Sequence, residues 1–138
     1  MNNFVIFSGG EIFDYSVVKL YKYGRIICAD SGLYHCEKLE IVPDIVIGDF
    51  DSFEGEINPD CKVIKTSPEK DDTDTMMCVK YAIENGAENI KIYGGLSGRL
   101  DHTIANIQTL KYCAERNVRA VIDDGLNRAL VQGEKSMC

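Results

Sequence analysis

Short apolar runs recur along this chain, each stopping at a serine, a glycine or an aspartate, and most giving way to a segment with helical spacing. Phe4 to Phe7 ends at Ser8-Gly9-Gly10, Arg25 to Ala29 at Asp30-Ser31-Gly32, Ile45 to Ile47 at Gly48, Asn89 to Tyr93 at Gly94-Gly95, and Val118 to Ile122 at Asp123. A near-continuous apolar run suits a strand covered on both faces. Strands separated by helices in this rhythm predict an α/β fold, a mostly parallel sheet flanked by helices with right-handed crossovers. The spacing predicts helices over Tyr15–Tyr23, with Val17, Val18 and Leu20 or Tyr21 inward, and over Leu33–Leu39. Two more follow: one opening at the acidic patch that ends in Asp74, with Met76, Val79 and Ile83 on one stripe, and one over Leu100–Arg116. The inner stripe of the last is read as Leu100, Ile104, Ile107, Leu110 and Ala114. Val63-Ile64 makes a short strand at best.

After Asp123-Asp124-Gly125 the pattern changes. Arg128 to Gln132 reads as a strand and Gly133 to Ser136 as a turn, with no helix before them. The α/β rhythm stops there, as at the start of a β-rich segment cut short.

The most informative stretch is Pro43-Asp44-Ile45-Val46-Ile47-Gly48-Asp49-Phe50-Asp51-Ser52. If the backbone stays extended past Gly48, Asp49 and Asp51 point to the same side, with α-carbons roughly 7 Å apart. That separation suits two carboxylates sharing one hard cation. In open α/β sheets ligands collect beyond the carboxyl ends of the strands, where these acids fall. The plainer reading is a polar turn in which Asp and Ser bond to the local backbone.

Other acids follow other strands: Asp30, then Asp71, Asp72 and Asp74 in Glu69-Lys70-Asp71-Asp72-Thr73-Asp74, then Asp101. Capping and the helix dipole account for one or two acids at a helix start, but not for three. On parallel, adjacent strands these acids converge on one edge, where their repulsion calls for a cation; carboxylates, waters and phosphate oxygens are magnesium's ligands. Gly94-Gly95-Leu96-Ser97-Gly98-Arg99 can present backbone N–H groups and a guanidinium to phosphate. It matches neither the Walker A loop nor Gly-x-Gly-x-x-Gly. Asp101-His102 reads either as an acid–base pair or, more simply, as a capping Asp followed by a surface His.

A net charge of −7 argues against a general nucleic-acid binder and is compatible with cationic partners. Six cysteines, at 28, 36, 61, 78, 113 and 138, form no Cys-x-x-Cys pair and read as reduced thiols of a cytosolic protein. Met1-Asn2-Asn3 has no basic character, and no apolar run approaches the roughly 20 residues that span a bilayer. The expectation is a soluble cytoplasmic protein with no nucleic-acid or membrane partner.

Taken together, Ala29-Asp30-Ser31-Gly32, Pro43-Asp44 through Gly48-Asp49-Phe50-Asp51-Ser52, Lys70-Asp71-Asp72-Thr73-Asp74, and Gly94-Gly95 through Gly98-Arg99-Leu100-Asp101-His102 with Asn106 resemble the thiamine pyrophosphokinase family. The resemblance covers roughly residues 4 to 125. It implies a Rossmann-like α/β nucleotide-binding catalytic domain over 1–125, with 126–138 as the start of a truncated β-sandwich domain that contributes to thiamine binding. It also implies magnesium-dependent pyrophosphoryl transfer from ATP to the hydroxyl of thiamine, giving thiamine diphosphate and AMP, in a homodimer whose active site lies between subunits. By the same resemblance, Asp49, Asp51 and Asp74 are the magnesium-site acids, and Asp30 and Asp101 complete the acidic site. Lys70, Arg99 and Asn106 fall on the nucleotide or phosphate side, with Asp72 and Thr73 in a second rank. Ser31 stands where the family often has glycine.

Two other readings compete. One is an isolated magnesium–ATP-binding domain without turnover, because the thiamine side of the pocket is missing. The other is a phospho-accepting receiver domain, which would need an acidic pair where this chain has Ser8-Gly9-Gly10 and a Lys-Pro after the penultimate strand.

Overall fold

The computed structural model describes residues 2–18, 24–49, 59–66, 73–95, 100–125 and 128–131. Six parallel strands are found among them: β1 (Asn3–Phe7), β2 (Arg25–Ala29), β3 (Ile45–Gly48), β4 (Lys62–Lys65), β5 (Asn89–Tyr93) and β6 (Arg119–Asp123). A last strand, β7 (Arg128–Val131), pairs antiparallel with β6 in the same sheet, whose order is β4-β3-β2-β1-β5-β6-β7. The helices are α1 (Leu33–Lys38), α2 (Asp74–Glu84) and α3 (Leu100–Glu115). The mostly parallel α/β architecture read from the sequence is the observed one.

Alternate strand residues explain why the apolar runs are continuous. Phe4 and Ile6 of β1, Ile27 and Ala29 of β2, and Ile45 and Ile47 of β3 bury into one core with Cys78, Val79 and Ala82 of α2 and Leu110 and Cys113 of α3. Val5, Phe7, Cys28 and Val46 point to the other face and pack with Leu33 and Cys36 of α1. Both faces are covered, so neither needs polar residues. The five described cysteines, 28, 36, 61, 78 and 113, are buried free thiols. Among the described residues no helix is long and apolar enough to cross a membrane.

Three details differ from the sequence reading. In the described part of the first predicted helix, Tyr15–Val17 is a 3-10 turn and Val18 is extended; residues 19–23 lie outside the described set. Asp14 caps that turn by accepting from the Ser16 amide at 2.9 Å. Adjacent β-branched Val17 and Val18 favour leaving the helix there. On α2 the buried face is Thr75, Cys78, Val79 and Ala82, with Met76 and Ile83 half-buried beside it. On α3 Ile104 and Ile107 are exposed, at 48% and 45%, while Thr109, Leu110 and Cys113 are buried. Leu110 of the predicted stripe is buried, whereas Ile104 and Ile107 of the same stripe are not.

Candidate functional site

The strand order places a switch point between β1 and β5: successive strands build outward from β1 on one side and from β5 on the other. In open α/β sheets the ligand crevice lies at such a point, outside the carboxyl ends of the strands. Ser8-Gly9-Gly10 leaves β1 and Gly94-Gly95 leaves β5. They are joined backbone to backbone, Gly10 N donating to Gly94 O at 2.6 Å and Ser8 N to Tyr93 O at 2.8 Å. Gly94 has φ +86°, and a side chain there would also meet Ser8 O, Gly10 O and His35 Nε2. Only glycine suits that position.

The acids gather beside this crevice. Asp30 opens the short turn Asp30–Gly32 directly after β2 and is half-buried. Its carboxylate leans over the next strand, where a β-carbon built on Gly48 would stand 2.6 Å from Asp30 Oδ2. Asp49 follows immediately, also half-buried. Asp74 sits in the first turn of α2, where the helix dipole favours an anion. The start of α2 is fastened to the end of β1 by a buried Ser8 Oγ–Thr75 Oγ1 hydrogen bond of 2.6 Å. Cys78, one turn further on, reports how close the acids lie. Burial pushes its thiol pKa well up, and the carboxylates of Asp74 and then Asp30 push it further. Asp74 and Asp30, from separate elements, thus both bear electrostatically on one buried thiol.

Other sequence candidates separate into roles. Thr73 is the N-cap of α2, its hydroxyl accepting from Met76 N at 3.1 Å. Asp44 holds the start of β2 by accepting from Ile26 N at 2.8 Å. Ser31 packs against Gly9, so the loops after β1 and β2 interlock through a side chain that a glycine would lack. Asp101 and Asn106 are placed by backbone on α3, Asp101 in its first turn after the β5 loop. Asp51, Lys70, Asp72 and Arg99 lie outside the described residues.

The sequence reading passed over a second layer. His35 is 1% exposed. Its Nε2 lies 2.6 Å from Gly10 O, and its Nδ1 lies 2.7 Å from Tyr15 Oη. A carbonyl can only accept, so Nε2 carries the proton and neutral Nδ1 accepts from the tyrosine hydroxyl. Tyr34 Oη adds hydrogen bonds of 3.1 Å to Gly9 O and to Gly10 O. Tyr34 and Tyr15 also flank the imidazole, with ring centroids 4.0 and 5.6 Å from it. Burial lowers the His35 pKa against the opposing pull of the Gly10 carbonyl, and Lys38 lowers it a little more.

Oxygen donors dominate the edge, and hard cations prefer them. Among the described residues no three metal-ligating side chains close around one point. Magnesium needs no such cage, since it commonly takes one or two carboxylates together with substrate phosphates. The donor set therefore fits that ion.

Comparison with known proteins places the chain in a family. The family described as "Thiamin pyrophosphokinase, catalytic domain" matches residues 19–122. Thiamin pyrophosphokinase 1 of Caenorhabditis elegans is 31% identical over 94 residues, 64% of this chain and 39% of that protein. Thiamine pyrophosphokinase of Bacillus subtilis is 31% identical over 108 residues, 73% of this chain and 50% of that one. The crystal structure of the thiamine pyrophosphokinase from Bacillus subtilis superposes with a TM-score of 0.76 at 25% identity, over 93% of this chain and 63% of that one. The chain thus spans about half the length, or less, of these curated relatives. A family match over residues 19–122, most of its length, makes this chain a member of the thiamin pyrophosphokinase catalytic-domain family.

Proposed function

We propose that the chain is the catalytic α/β part of a magnesium-dependent thiamine pyrophosphokinase that uses ATP. One observation supports the reading: Asp30 follows β2, Asp49 follows β3 and Asp74 opens α2, all at the carboxyl edge of the sheet near the glycine loops after β1 and β5. In the reaction, the hydroxyl oxygen of thiamine bonds to the β-phosphorus of ATP, the α–β bridging bond breaks and AMP departs. Such transfers depend mainly on positioning and on electrostatic stabilisation of phosphate oxygens.

Asp49, Asp51 and Asp74 hold the magnesium ion, and Asp30 and Asp101 complete the acidic rim. Bound magnesium neutralises charge on the phosphate oxygens. Lys70, Arg99 and Asn106 orient the nucleotide and its phosphates, with Asp72 and Thr73 beside them. The polyphosphate is received at the carboxyl edge of the sheet, beside the loops that leave β1 and β5. The working form is a cytoplasmic homodimer with no nucleic-acid or membrane partner. A second reading, magnesium–ATP binding without turnover, has one observation in its favour: these residues span about half, or less, of the curated relatives' length.

Calorimetric titration with ATP, with and without magnesium, tests the site. Binding that requires magnesium supports it, and no binding under either condition overturns it for this chain. Product analysis with thiamine then separates the two readings: AMP with thiamine diphosphate marks the kinase, and bound ATP left intact marks the binding domain.

A further inference from the structure

Among the described residues the crevice is held by groups that carry no phosphate-binding charge. The Gly10 carbonyl is the centre of this arrangement. It accepts from His35 Nε2 at 2.6 Å and from Tyr34 Oη at 3.1 Å, while the Gly10 amide donates across the switch point to Gly94 O at 2.6 Å. Both loops contain glycines, which alone would leave many backbone conformations open. Beyond the β1–β5 ladder, whose last bond is Ser8 N to Tyr93 O, Gly10 is also held from α1, through an imidazole that Tyr15 fixes in one tautomer.

We propose that His35 is a positioning residue: it pins Gly10, and through the Gly10–Gly94 hydrogen bond it fixes the separation of the two glycine loops that receive the polyphosphate. The role differs from filling space. Gly94 is packed directly against Nε2, so a side chain of another shape, or one lacking the N–H, leaves Gly10 without its strongest anchor and lets the loops part. The Gly10 carbonyl is then left with only the longer, 3.1 Å bond from Tyr34 Oη to hold it. The proposal rests on the functional reading above only for what the loops bind; how they are held is independent of it.

The test uses this chain with the substitutions His35→Leu, His35→Gln and Tyr15→Phe. Leucine keeps an apolar filling and removes the N–H. Glutamine restores an N–H donor at similar reach. Hydrogen exchange at the Gly10 amide reads the loop geometry, thermal unfolding reads the fold, and calorimetry with ATP and magnesium reads the site. His35→Leu is expected to speed Gly10 exchange and weaken ATP binding, each by about tenfold, as loss of one well-formed buried hydrogen bond implies. His35→Gln is expected to recover most of both, even where its melting temperature stays below that of the parent. Equal behaviour of the Leu and Gln variants in exchange overturns the proposal. If His35→Leu does not fold, Tyr15→Phe decides: it should speed Gly10 exchange several-fold by releasing the ring, and unchanged exchange refutes the role. If the parent chain binds no ATP, the functional reading fails while the exchange data still decide the positioning role.

Discussion

The carboxylate of Asp30 occupies the space that a β-carbon on Gly48 would need, with Oδ2 2.6 Å from that position. Two strand ends thereby meet with an acid from one folded over the backbone of the other, immediately before Asp49. Gly48→Ala is expected to displace Asp30 and to destabilise the chain by about 1–3 kcal/mol, the usual cost of overpacking. Urea unfolding measures the second effect and magnesium–ATP calorimetry the first. An alanine variant with parental stability and affinity would show that Asp30 can move aside at no cost.

Asp49→Asn keeps the shape of the side chain and removes its charge. Magnesium-dependent ATP affinity should fall by about tenfold or more, the effect of losing a contact worth about 1.4 kcal/mol. The melting temperature should stay near that of the parent, because Asp49 is only half-buried. Unchanged affinity would remove Asp49 from the site.

Thr73→Ala tests a different bond. The Thr73 hydroxyl caps α2 through Met76 N, and losing such a cap costs about 1 kcal/mol. The start of α2 carries Asp74 and the Ser8–Thr75 bond, so fraying there should also weaken ATP binding. Denaturant unfolding that shows no loss would mean that the amide finds another partner.

Stability should depend on pH through His35. Burial lowers its pKa below the ordinary 6.5 despite the Gly10 hydrogen bond. The unfolded chain therefore takes up this proton at higher pH than the folded one. His35 stabilises fully above its unfolded pKa, and that contribution drains away as the pH falls through 6.5 and on to its lower folded value. Urea unfolding compared between about pH 7.5 and about pH 5 should show a steeper loss for the parent than for His35→Gln. Identical slopes would contradict the assignment.

The sheet was legible because it follows from one rule: runs apolar on both faces and cut by Gly or Asp must be strands covered twice. Asp30, Asp49 and Asp74 were legible because they follow such runs or open the helix after one. The 3-10 turn at Tyr15–Val17 was not, since the Asp14 cap and the valine pair act locally against an otherwise acceptable helical pattern. The buried stripe of α3 was hidden because Thr109 and Cys113 owe their burial to small size, while Ile104 and Ile107 carry the stronger hydrophobic signal. His35 could not be found from spacing at all. Its importance depends on a carbonyl contributed by Gly10 and on the strand order that sets β1 beside β5.

That strand order also fixes when the crevice can exist during synthesis. β1 pairs with β5 in a register that sets Asn3 opposite Asn89 and Phe7 opposite Tyr93. β1 must therefore wait for almost the whole α/β unit before one of its two neighbours arrives. β2, β3 and β4 can add to its other side in turn, each close in sequence to the last. Pairings distant in sequence form late because their loop-closure entropy must be met first. A nascent chain halted before β5 presents β1 as a bare edge, with Ser8, Gly9 and Gly10 lacking the backbone partners that shape them, and so is the form most in need of a chaperone.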